Sequence, residues 1–115
     1  MIAFSKLLIG VGLLTASHHG WANYDTESAF TLDGTIGKVD YMNPHVLVQV
    51  RPANDSTRTW LAVLAPPSRM TGRGLPADSV RVGGTARLYG YPHKETPDEM
   101  RAERITFGTR TTELR

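Results

Sequence analysis

Four histidines carry the sharpest chemical signal in the chain: His18, His19, His45 and His93. A neutral imidazole is the commonest side-chain ligand of a transition metal. If a leader is removed after Ser17, His18 becomes the first residue and offers two nitrogens, its α-amine and its ring. The amine has an ordinary pKa of about 8, so a metal can displace its proton near neutral pH. One more imidazole completes a T-shaped three-nitrogen site, which suits copper(II). Met42, Met70 and Met100 add soft ligands should copper(I) matter. The expected metal site is therefore His18, His19, His45 and His93, with copper as the first candidate. Against it stands a plain alternative. Tandem histidines can be a solvated chain end, and a histidine after proline can be a satisfied loop residue. No HExxH or HxH spacing frames any of the four.

Other chemistry-bearing residues are more scattered. Tyr41, Asn43, Trp60 and Tyr91 fall where they can border a ligand face, and Arg69 and Arg73 stand one helical turn apart. That arginine pair could meet an anionic ligand or a protein partner, or form a solvated helix face. Ser68, His45 and Asp40 supply triad residue types, but no GxSxG elbow presents the serine. Asp98 and Glu99 sit in or beside a polar loop and read as solvated. Tyr41, Trp60, Tyr89 and Tyr91 with Arg51, Arg58, Arg87 and Arg101 could stack and pair with nucleic acid. Core or rim positions for the rings, and a solvent face for the arginines, explain them more simply. No complete catalytic set appears, and a binding or structural role is expected rather than an enzyme.

The elements that must position these groups alternate in polarity. Phe30, Leu32, Gly34 and Ile36 share one face of a strand over residues 29–41. The parity then flips to Val39 and Tyr41, and Gly37 at the flip predicts a bulge. Asn43-Pro44 marks a turn. Val46, Val48 and Val50 alternate in a second strand, and Trp60, Ala62 and Leu64 line a third over 57–64. Pro66-Pro67 opens a short helix that Gly74 can close. Residues 85–91 and 100–107 supply strands four and five, with a polar loop over 92–98. The fold class is all-β: a small five-stranded OB-like barrel with one short helix between strands 3 and 4. A small β-sandwich is the competing architecture. In the OB plan, the loops holding His45 and His93 border the ligand face.

The first residues read as an address. Lys6 precedes the apolar run Leu7–Leu14, and Thr15-Ala16-Ser17 follows. Charge, apolar stretch and small residues in that order form a secretory signal over 1–17, leaving a single domain over 18–115. The run is shorter than the roughly 20 apolar residues a spanning helix needs, so no membrane span is expected in the mature chain. Gly20-Trp21-Ala22 offers a second position for cleavage, after Ala22. The mature protein is expected in the periplasm or secreted.

Composition bounds the rest. The chain has 115 residues, 40% hydrophobic and 21% charged, with no cysteine. That excludes disulfide scaffolds, cysteine zinc modules and a cysteine nucleophile. Thirteen Lys and Arg face eleven Asp and Glu. Loss of Lys6 leaves the mature chain nearly neutral, which argues against a nucleic-acid partner. A metal ion or an envelope protein remains as the expected partner.

Several segments together resemble a known family. They are His18-His19-Gly20-Trp21, Tyr24-Asp25, Asn43-Pro44-His45-Val46, Leu64–Met70, Arg73-Gly74-Leu75, Gly90-Tyr91-Pro92 and Glu99–Ile105. The sequence is similar to the uncharacterised exported bacterial family termed domain of unknown function 6152. The resemblance covers nearly the whole mature chain. It implies a small exported bacterial domain and brings no catalytic residues with it.

Overall fold

The computed structural model describes residues 20–115. The leader reading and the residues His18 and His19 lie outside the described residues. Six strands follow in chain order: β1 (Phe30–Asp40), β2 (Leu47–Pro52), β3 (Trp60–Val63), β4 (Thr85–Pro92), β5 (Glu99–Phe107) and β6 (Arg110–Glu113). Among the described residues one α-helix, α1 (Pro67–Gly72), lies between β3 and β4. The sheet runs β3-β2-β1-β4-β5-β6, and β3 also pairs with β5. That parallel pairing, Leu61↔Glu99 to Val63↔Arg101, joins the two ends and closes a five-stranded barrel. Closure with the helix after β3 is the OB plan, and it excludes the sandwich.

The polarity pattern explains the closure. Leu32 and Ile36 from β1, Val48 and Val50 from β2, Ala62 from β3 and Leu88 from β4 point inward and are buried in one core. Register pairs Ile36 with Val50 and then Lys38 with Gln49, so Gly37 is the extra residue of a bulge, as its place at the parity flip predicts. The bulge turns Val39 inward and lets β1 curve from β4 onto β2. A second register shift lies between β4 and β5, where Tyr89 faces Arg104 and Gly90 faces Ala102. At Gly90 the two strands approach so closely that a Cβ would stand 2.0 Å from the Arg101 carbonyl oxygen. Only glycine fits there.

The helix is short because its sequence opens and closes it quickly. Pro67 sets the first turn, and Gly74 at φ +89° ends it in a conformation that favours glycine. Met70 from α1, with Leu75 and Val80 after it, packs into the core cluster. Strand β6 extends the sheet beyond the five expected strands. It pairs with β5 from Arg104↔Glu113 to Phe107↔Arg110, through a turn with Gly108 at φ +61°.

Candidate functional site

The outside of the barrel is not uniformly solvated. Alternation places Val63, Glu99, Arg101 and Tyr91 on the outer face of β3, β5 and β4, yet all four are buried. Val63 and Tyr91, with Tyr24, stand apart from the barrel's core cluster. The chain's own N-terminal segment covers this face. Trp21–Asn23 form one 3-10 turn, held by Asn23 N donating to Gly20 O and Tyr24 N to Trp21 O, both at 3.1 Å. Tyr24 then bridges His93 in antiparallel sense. Asp25 N donates to Pro92 O, and Lys94 N donates to Asn23 O, each at 2.9 Å.

Side chains complete the contact. Two guanidinium groups stack on the Trp21 ring, with the Arg101 and Arg115 Cζ atoms each 4.3 Å from its centroid. Tyr91 meets the same ring edge-on at 6.0 Å. The Tyr24 hydroxyl donates to Glu99 Oε2 at 2.6 Å. Burial, and then the Glu99 hydrogen bond and charge, push the Tyr24 phenol far above its ordinary value. Burial holds the Arg101 guanidinium below its ordinary value; Tyr24 opposes this, and Arg69 and Arg115 add to it. Tyr91 donates to Glu103 Oε1 at 2.5 Å, which raises its own phenol.

His45 and His93 reach this layer from two sides. His45, between β1 and β2, places Nε2 3.3 Å from Arg101 Nη2. A guanidinium only donates, so Nε2 accepts and the neutral ring carries its proton on Nδ1. A metal at Nε2 would displace Arg101 and then face its positive charge. His93 stands edge-on to Tyr24 at 5.0 Å. Its Nδ1 accepts from Glu95 N at 3.0 Å and Thr96 N at 2.9 Å, so the neutral ring carries its proton on Nε2. Both rings thus organise loop backbone or a neighbouring cation. Among the described residues no three His, Asp or Glu side chains gather as a metal group.

The remaining expected residues are dispersed. Trp60 faces inward opposite Val50, half-buried, with Phe30 at 5.0 Å and the Arg58 Cζ 5.4 Å above its ring. Tyr41 is half-buried against the core, its hydroxyl buried with no hydrogen-bond partner among the described residues. Asn43 is exposed in the turn, next to a cis peptide to Pro44. Arg69 and Arg73 hold the chain's last residues: Arg69 Nη1 donates to Leu114 O at 3.3 Å, and Arg73 donates to Glu113 O at 2.9 Å and Arg115 O at 3.1 Å. Ser68 is exposed in the first turn of α1, and Asp40 faces Lys38 at 3.9 Å.

Two expectations need correction. Glu99 is not a solvated loop carboxylate: it is 9% exposed and bonded to Tyr24. Arg101 does not lie on a solvent face: it is 4% exposed under Trp21. Sequence reasoning also did not single out Trp21, Tyr24 and Arg115 as site residues. Aromatic residues three apart, ahead of the first strand, were the available signal.

The profile of the family of unknown function DUF6152 matches residues 7–100. The chain belongs to this family. Comparison of this DUF6152 chain with curated proteins gives no match. Among solved structures, it is similar to the TiaS–tRNA(Ile2)–ATP complex, with TM-score 0.52 and 16% identity over 80% of this chain and 20% of that one. It is also similar to apo TiaS, the tRNAIle2 agmatidine synthetase, with TM-score 0.51 and 14% identity over 74% of this chain and 19% of that one. The DUF6152 chain spans about a fifth of those proteins, and the likeness is one of fold.

Proposed function

We propose that this DUF6152 chain is a small exported, non-enzymatic binding domain that engages a protein segment of the cell envelope. One observation carries the reading. The outer face of β3, β5 and β4, between the loops of His45 and His93, is built from aromatic and guanidinium groups, Tyr91, Arg101 and Arg115. In OB-folds the loops corresponding to those of His45 and His93 border the ligand site. Tyr, Trp and Arg are the side chains that concentrate binding energy in protein interfaces. The near-neutral charge favours a protein segment over nucleic acid, whose affinity rests on phosphate neutralisation.

The test is cross-linking of the full chain in intact cells, with an Arg115→Glu variant beside it. The reading expects one envelope protein to be captured by the wild type and lost from the variant. Equal capture by both, or a chain that stays unprocessed in the cytoplasm, overturns it.

Copper binding is the second reading, and one observation favours it. Trp21, two residues after His19, stacks on Arg101, and Arg101 contacts His45. The described residues therefore begin close to the His45 layer, two positions after His19 in the sequence. Copper titration of the processed protein tests this. Binding weaker than micromolar, or binding unchanged by His45→Ala, ends it.

A further inference from the structure

We propose that Trp21–Asp25 is a displaceable cover, and that the slot beneath it recognises a partner segment with a tryptophan followed three residues later by a tyrosine. The inference rests on the protein-binding reading above and names the partner's chemistry. The occupant visible in the structure defines that chemistry. Its backbone is held in a sequence-independent way, by Asp25 N on Pro92 O and Lys94 N on Asn23 O around the Tyr24↔His93 bridge. This is strand addition in miniature, in which main-chain bonds supply affinity and side-chain slots supply specificity. The specificity comes from two positions. Arg101 and Arg115 both stack on the Trp21 ring, Tyr91 meets it edge-on, and Glu99 takes the Tyr24 hydroxyl. A guanidinium pair on a ring selects a π face, tryptophan first.

The cover is built to come away as a unit. Residues 26–29, which join it to β1, are exposed. Glu27 and Ser28 bond back to Asp25: Glu27 N donates to Asp25 Oδ1 at 3.1 Å, Ser28 N to Asp25 O at 3.1 Å, and Ser28 Oγ to Asp25 Oδ2 at 2.7 Å. The barrel ladders start only at Phe30. Lifting Trp21–Asp25 therefore leaves every strand pairing of the barrel in place. A tethered occupant competes at an effective concentration of roughly millimolar, so the intact cover screens out weak segments.

The experiment uses the full chain and a fluorescent peptide with the sequence of residues 20–25. The receptor is the Trp21→Ala variant, with Trp21→Leu as a second receptor should the first fail to fold. Peptide binding at least 10-fold tighter to the folded variant than to the wild type is expected. Replacing the peptide's tryptophan by alanine should weaken binding at least 10-fold. Equal binding by wild type and variant, no binding by either folded variant, or indifference to the peptide's tryptophan overturns the proposal. A variant that binds the peptide while the wild type cross-links to no envelope protein sinks the functional reading and leaves the slot standing. Cross-linking that depends on Arg115, with no peptide binding, sinks the slot alone.

Discussion

Replacing Trp21 by alanine should cost this small barrel a large part of its stability. The loss can be assembled from its contacts. The stack on buried Arg101 at 4.3 Å contributes about 1–2 kcal/mol, since the cation is desolvated. The stack on Arg115, whose side chain is 53% exposed, contributes about 0.5 kcal/mol. The edge contact with Tyr91 at 6.0 Å adds about 0.5–1 kcal/mol. Together these give about 2–3.5 kcal/mol, against a typical domain stability of about 5–15 kcal/mol. For a domain near 100 residues that corresponds to a fall of about 10–25 °C in Tm. Urea and thermal unfolding followed by circular dichroism measure it. The protein has two tryptophans, so Trp60 remains as a fluorescence reporter of the core. Trp21→Phe keeps a π face for the guanidiniums and should recover about half of the loss. A Trp21→Ala curve that overlays the wild type would refute the view that this ring holds the outer layer together.

Three further outcomes follow from the same structure. The Tyr24 phenol is raised by burial and by Glu99, so the folded state keeps its proton where the unfolded chain, near an ordinary pKa of about 10, gives it up. Stability from this group is complete below pH ~10 and is lost as pH rises above it; Tyr24→Phe should flatten that alkaline decline in urea melts across pH 9 to 12. Gly90→Ala places a Cβ 2.0 Å from the Arg101 carbonyl oxygen inside the β4–β5 ladder, and should destabilise by about 3 kcal/mol or leave the chain unfolded, read by Tm and expression yield. If the chain is exported as proposed, mass spectrometry of the processed protein should find an N-terminus at or before Gly20, because Trp21 is part of the folded layer; a chain beginning at Asn23 would contradict this.

The barrel was readable in the sequence because its inner face obeys alternation. Val46, Val48 and Val50 declare β2, and the parity flip at Gly37 declares the bulge that bends β1. The helix was readable from Pro67 and Gly74. Strand β6 was not, because Arg110–Glu113 carries no apolar alternation and is held by pairing with β5. The outer layer was not readable for a different reason. Alternation says which residues point out of a barrel and is silent on what lies over them. Glu99 and Arg101 carry charges that ordinarily mean solvent, and their burial depends on Tyr24 and Trp21, more than 70 positions away. His45 and His93 were placed on the correct loops, and their rings turned out to serve Arg101 and the loop backbone.

Closure of the barrel carries a consequence for how copies of this protein behave in a crowded compartment. A closed sheet has no free margin on which another chain can nucleate, and here the appended strand β6 is the exception. That strand is four residues long, and Arg73 already occupies the outward Glu113 carbonyl at 2.9 Å. Arg110, at the other end of the strand, is tied to the Gly74 carbonyl at 2.7 Å. Short length and cationic side chains are the devices that keep exposed margins from templating fibrils. A high concentration of the folded protein should therefore stay free of cross-β aggregates.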